Sequence, residues 1–230
     1  MNKKYKKPFV FLCTGMSLDG KLSNFKKEQI EIADNDDKEM LYQCRIKADA
    51  VMVGGNTLAQ DNPKLTVNKK ERQNKRMSLG KSPEPIKIGI ISNANKLKTS
   101  GDFFDVGQNK KIIFLTRKTS KKKIEEIKKK AIVYIIGGNR VDLKRVMKIL
   151  YDLGIKKLMV EGGGELIFSL LKEKLVDEIN LKIGNLLVGG RNSITFVEGD
   201  GFDKLGVIKT KTIKVIKKPN YLILKAKIIK

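Results

Sequence analysis

Two stretches run strand-forming residues straight into consecutive glycines: "DAVMVGGNTLAQD" at 49–61 and "KLMVEGGGELI" at 157–167. Glycines at such a junction let another molecule approach the main chain. They also leave the first amides of a following helix free to meet a phosphate or pyrophosphate. The same glycines serve an ordinary tight turn equally well, and neither stretch has the full dinucleotide fingerprint with its downstream ribose-binding acid. Glu161 stands directly before Gly162, Gly163 and Gly164. Glu165 falls in the first helical turn, where it suits the dipole and would repel a phosphate unless turned outward. In the first stretch Gly54 and Gly55 lead into Asn56 and Thr57, and Asp61 closes a polar loop ahead of Pro63. A third stretch, "TGMSLDGKLS" at 14–23, carries the tight-turn signal Asp19-Gly20 after a strand pattern.

For these residues to act together, buried strands must carry them to one edge of a sheet. Apolar runs at 9–15, 49–55, 86–92, 111–116, 132–136 and 157–162 read as buried strands. Helical periodicity covers 36–47, 120–130, 142–153 and 164–174, and the alternation predicts an α/β fold of crossover units around a largely parallel sheet. After residue 177 the segments are extended with turn signals and no helix between them, so the last strands are expected to pair antiparallel. Both glycine exits would then lie at carboxyl ends of parallel strands, where open α/β sheets bind ligands. The polar stretch "NKKERQNKRMSLGKSPEP" at 68–85 reads as a surface loop, and a single domain over 1–230 is expected.

Composition narrows the chemistry. The chain contains no histidine, which removes the usual general base and the commonest metal ligand, so zinc hydrolases, serine or cysteine triads and zinc deaminases are not expected, and no metal is expected. Cys13 and Cys44, one on a strand pattern and one on a helix pattern, read as buried free thiols. No apolar run is long enough to span a bilayer and the N-terminus has no signal-peptide pattern, so a cytoplasmic location is expected. The formal net charge of +24 raises the question of nucleic acid. Its densest run, "RKTSKKKIEEIKKK" at 117–130, spaces Ile124 and Ile127 as the buried side of an amphipathic helix and has no interleaved aromatics, which favours a solvated face.

"SLDGKLS", "ADAVMVGGNTLAQDNPKLTV" and "LMVEGGGELIFSLLKEKLVDEINLKIGNLLVGG", in this order and spacing, resemble the riboflavin-pathway reductases of dihydrofolate-reductase-like fold, most of all the stand-alone archaeal and fungal type. The resemblance covers nearly the whole chain. It implies a mostly parallel central sheet flanked by helices, with antiparallel C-terminal strands. It further implies hydride transfer from NADPH, with NADH as a second candidate, to C1′ of the ring-opened imine of a phosphorylated ribosylaminopyrimidine. Thr57, Asp61, Gly162, Gly163 and Gly164 match the family's cofactor positions, joined by Ser92, Gly55 and Glu165. Gln29, Arg45 and Glu161 match substrate positions. Arg45, ending a helix pattern, is assigned to the 5′-phosphate, against the alternative of an exposed surface arginine. With no histidine, the proton donor is expected to be Glu161, Asp34 or a bound water. A cofactor 2′-phosphate would want a cation beyond Ser92, such as Lys96 or Arg117. The segment "EQIEIADND" at 28–36 departs from the relatives, which carry an aromatic or hydroxyl-bearing residue there. The reductase alone is expected in this chain, which favours reduction before deamination, and a homodimer through the C-terminal strands is expected. The alternatives kept open are a reductase of the deaminated pyrimidinedione, a folate reductase, and a basic nucleic-acid-binding module.

Overall fold

The computed structural model describes residues 6–32 and 37–229. Along the chain the elements are β1 (Phe9–Ser17), α1 (Asp37–Lys47), β2 (Ala50–Gly54), α2 (Gly55–Gln60), α3 (Lys70–Ser78), β3 (Ile86–Ile90), α4 (Asp102–Asp105), β4 (Lys111–Leu115), α5 (Lys121–Lys128), β5 (Ile132–Ile135), α6 (Leu143–Asp152), β6 (Lys157–Gly162), α7 (Gly164–Lys172), β7 (Glu178–Gly184), β8 (Thr210–Lys217) and β9 (Tyr221–Ile228). The chain divides into two compact units. One takes the residues up to Phe9 and Arg45–Met159, the other Val10–Cys44 and Val160 onward.

In the first unit β5, β4, β3 and β2 lie in that order and pair parallel. Every residue of β2 is buried, as are all but the first of β3 and β4, and apart from glycines, Lys87 of β3 and Lys111 at the start of β4 these residues are apolar. The crossover helices follow from their stripes. Helix α6 is capped by Asp142, whose carboxylate accepts from the Arg145 amide, and it buries Leu143, Val146, Met147 and Leu150. Helix α5 is capped by Ser120 and buries Ile124 and Ile127, with its lysines mostly outward, as a solvated face requires. The stretch expected as a surface loop instead contains α3. Its straight-chain Lys, Glu, Arg and Gln residues lose little freedom in a helix, and it has no apolar stripe because its one buried side chain is Arg76.

Packing in this unit sets where the first glycine exit lies. A Cβ at Gly89 of β3 would stand 2.7 Å from both Leu58 Cδ2 of α2 and Ile113 Cδ1 of β4. Any larger residue there would lift α2 off the strand and move Thr57 with it.

In the second unit the order is β1, β7, β9, β8. β1 and β7 run parallel, while β9 is antiparallel to both β7 and β8. Helix α7 buries Leu166, Ile167, Phe168, Leu170 and Leu171. Cys13 is buried on β1; Cys44, expected to be buried too, is only half-buried on α1.

Candidate active site

In the first unit, Gly54 pairs with Ile90 at the carboxyl end of its strand. A Cβ on Gly55 would meet Ile91 Cγ1 at 3.0 Å and the Ile90 carbonyl at 3.3 Å, so glycine there lets α2 start directly against the β3 exit. The amides of Asp61 and Asn62 both donate to the Thr57 carbonyl, at 3.0 and 3.2 Å, closing a one-turn loop that leaves Thr57 half-buried and Asp61 exposed. Ser92 is a junction of three loops. Its carbonyl accepts from the Thr116 amide at 3.3 Å and the Thr116 hydroxyl at 2.7 Å, and its Oγ accepts from the Val141 amide at 3.3 Å.

Arg45 is 7% exposed, which overturns the surface-arginine alternative. Its Nη1 donates to the Thr66 carbonyl at 2.7 Å. Behind it, Arg76 is fully buried and donates to the carbonyls of Arg45, Ile46 and Ala48 at 2.5, 3.2 and 2.7 Å, and through Nε to Ser82 O at 2.8 Å. Arg76 thus supplies donors to carbonyls at the end of α1 that have no partner within the helix. Desolvation pushes its guanidinium pKa down.

In the second unit, β6 delivers Glu161, half-buried, into Gly162 at φ +133°, a conformation open to glycine alone, and the Gly162–Gly163 peptide is cis. Gly163 is the N-cap of α7 with no side-chain cap, so the first amides of the helix have no acceptor within it. Gly164 is glycine for a different reason. A Cβ there would lie 2.5 Å from the Thr195 carbonyl and 2.6 Å from Glu198 Cγ. Burial first, and the neighbouring Glu165 carboxylate second, raise the pKa of Glu198. Gln29 is exposed, its backbone bridging to Ser23. Asp34 lies outside the described residues.

The Asp19-Gly20 turn does more than reverse the chain. Asp19 accepts from the Ser17 hydroxyl at 2.6 Å and from the amides of Val188 and Gly189 at 3.1 and 2.7 Å, which hold its pKa down at about 2. The Leu22 amide donates to Ile194 O at 2.7 Å and the Phe196 amide to Gly20 O at 3.1 Å. The sequence patterns pointed to neither this clasp nor Glu198, because both depend on pairing between loops far apart in the chain.

For a nicotinamide dinucleotide, the Gly162–Gly163 junction has the right donors. A Cβ at Gly162 would meet nothing nearer than Ile167 Cδ1 at 4.0 Å, so main chain and open space coincide beside uncapped helix amides. Glu165 and Glu198 oppose an anion at the same helix end, and burial followed by the Glu165 carboxylate raises the pKa of Glu198. The group fits on balance. Among the described residues there is no cluster of His, Cys, Asp and Glu able to hold a metal ion, and no helix is long and apolar enough to cross a membrane.

Comparison with solved structures defines the fold. A pyrimidine reductase-like protein from Corynebacterium diphtheriae superposes with a TM-score of 0.82 over 97% of this chain and 92% of that one, at 20% identity. The yeast riboflavin biosynthesis reductase Rib7 superposes with a TM-score of 0.68 at 22% identity, over 97% and 90% of the two chains. The fold is the dihydrofolate-reductase-like α/β fold. Residues 8–222 match the family model of the RibD C-terminal domain, and the chain belongs to that family. It is 36% identical over 198 residues to 2,5-diamino-6-ribosylamino-4(3H)-pyrimidinone 5′-phosphate reductase of Archaeoglobus fulgidus, covering 86% of this chain and 90% of that one. The protein of the same name from Aquifex aeolicus is 35% identical, with 86% of each chain covered.

Proposed function

We propose that this protein reduces 2,5-diamino-6-ribosylamino-4(3H)-pyrimidinone 5′-phosphate to its ribitylamino product in riboflavin biosynthesis, using NADPH, as a cytoplasmic homodimer. The observation that carries the reading is the shared name of relatives 35–36% identical over 86% of the chain, in a protein whose two strand exits are both glycine-opened. The bound cofactor supplies a hydride. Gly162, Gly163 and Gly164 with the α7 amides are the cofactor contacts assigned to the second unit, Gly55, Thr57, Asp61 and Ser92 are those assigned to the first, and Glu165 is exposed at the start of α7. Reduction of the ring-opened imine adds the hydride to C1′ and a proton to nitrogen, leaving a secondary amine. Glu161, half-buried beside the glycines, holds the substrate and is the first candidate to deliver that proton, with Asp34 or water as the other sources. Arg45, a planar bidentate donor, binds the 5′-phosphate, and Gln29 contacts the pyrimidine.

The test is NADPH consumption by the purified chain with the diamino substrate and with its deaminated counterpart, the product being identified by mass as a gain of two hydrogens. Turnover on the diamino compound supports the reading. Turnover confined to the deaminated compound would reverse the order of steps, and a folded protein inert on both would refute it.

A further inference from the structure

The sequence holds two Asp-Gly pairs, Asp19-Gly20 and Asp200-Gly201, both in the second unit. In such a pair the amide nitrogen after the aspartate can attack the side-chain carboxyl carbon, because glycine has no side chain to block the approach. A C–N bond forms, water leaves, and a five-membered succinimide closes. Water then reopens the ring at either carbonyl. Opening at the main-chain carbonyl leaves the glycine nitrogen on the side-chain carbon, an isoaspartyl linkage of unchanged mass. Neither an oxidant nor a second substrate is consumed.

The fold treats the two pairs in opposite ways. At the first, both reacting groups are tied. The Asp19 carboxylate accepts from the Ser17 hydroxyl and the amides of Val188 and Gly189, and the Gly20 amide donates to the Ser17 carbonyl at 3.0 Å. The same donors keep Asp19 ionised, and a carboxylate anion is a poor electrophile. At the second, both groups are free. Asp200 is exposed, and neither its carboxylate nor the Gly201 amide has a hydrogen-bond partner among the described residues. A Cβ built on Gly201 would meet nothing within 4 Å, so the approach to its nitrogen is open.

The residues on either side of the free pair are anchored to α7. At Gly199 the main chain lies against Phe168, where a Cβ would come within 2.1 Å of Cδ1, and the Phe202 ring packs on the same phenylalanine with centroids 5.0 Å apart. Just before them the Glu198 amide donates to the Gly164 carbonyl at 3.4 Å. Asp200 and Gly201 thus bridge two contacts with one buried side chain. An isoaspartyl linkage lengthens that bridge by one carbon, about 1.5 Å. We infer that Asp200-Gly201 is a site of spontaneous isomerisation in the folded protein, and that the added carbon unseats this loop from Phe168. The inference does not depend on the reaction the protein catalyses.

The test is incubation of the folded chain at neutral pH in water enriched in the heavy oxygen isotope, followed by proteolytic mapping with electron-transfer fragmentation, which distinguishes the two linkages and separates Asp200 from Asp203. Heavy oxygen and isoaspartate should accumulate at Asp200. Release of even one charge-assisted bond on Asp19 slows ring closure there, so Asp19 should convert at least roughly tenfold more slowly. In urea, where the clasp is gone, the two pairs should convert at similar rates. Asp200→Glu, whose longer side chain would have to close a six-membered ring, should stay unmodified at that position. The isomerised parent, separated from the unmodified one by chromatography, should melt below Asp200→Glu incubated alongside it. Equal conversion of the two pairs in the folded protein, or conversion confined to other positions, would overturn the assignment of the site. An isomerised fraction that melts with the unmodified parent would overturn the effect on Phe168.

Discussion

Replacing Arg76 by methionine keeps most of the side-chain volume and removes every donor. Arg76 is fully buried, and its guanidinium satisfies the carbonyls of Arg45, Ile46 and Ala48, with a fourth bond to Ser82. A buried acceptor stripped of its partner costs about 1–3 kcal/mol, so the three carbonyls at the end of α1 alone set a gross loss of roughly 3–9 kcal/mol. Part is returned, because methionine carries no desolvation penalty of the kind that depresses the Arg76 pKa, and a net loss of about 3–5 kcal/mol is expected. For a chain of this size each kcal/mol moves the melting midpoint by roughly 2–4 °C, giving a fall of about 6–20 °C. Arg76→Lys, with charge but no planar fork, should fall between. The assay is thermal and urea unfolding of the three proteins. Because the capped turn carries Arg45, substrate KM measured well below the melting range should rise as well, by more than the cofactor KM. A methionine variant melting within about 2 °C of the parent would refute the reasoning.

Two further outcomes are expected. Lys87 is fully buried, with Nζ on the carbonyls of Phe103 and Val106 at 2.9 and 2.6 Å, and desolvation lowers its pKa from 10.5 to about 8. Between those values the unfolded chain holds a proton the folded chain has released, so parent stability should rise with pH across that window, and Lys87→Met should lose that part of the slope in pH-graded urea melts. Asp19, held at about 2 by Ser17 and the amides of Val188 and Gly189, should keep its clasp above pH 3.8 and release it as pH falls through about 2. Asp19→Ala should speed hydrogen exchange at Val188 and Gly189 at neutral pH, and unchanged exchange there would remove the clasp.

Where burial is periodic, the chain could be read without a structure. The four inward residues of α6 and the unbroken apolar run of β2 are instances, since period alone decides which face is buried. Helices α2 and α4 have six and four residues, too few to show a stripe, and α3 hides because its inward residue is an arginine. The glycine exits were legible because main-chain exposure is written in residue type. The burial of Arg45 was not, since it depends on the Thr66 carbonyl and on Arg76 arriving from α3. The reason for Gly164 was hidden likewise, because Glu198 and Thr195 reach it from a different loop.

The clasp between the Asp19 turn and the β7–β8 connection bears on how this protein can change over evolutionary time. Residues 185–209 form an irregular segment much longer than most connections, yet they are not uniform. From Leu186 to Glu198 the backbone is tied at Leu18, Asp19, Gly20, Leu22, Ser23 and Gly164. From Gly199 to Lys209 the bonds are the local turn at Asp203 and the Lys209 carbonyl accepting from Ile229. An inserted or deleted residue in the first stretch would shift every tie after it out of register with a loop encoded at the other end of the chain. In the second stretch Gly199 and Phe202 pack against Phe168 of α7 and Lys209 meets Ile229, so length differences among relatives should accumulate between Phe202 and Lys209 and be rare between Leu186 and Glu198.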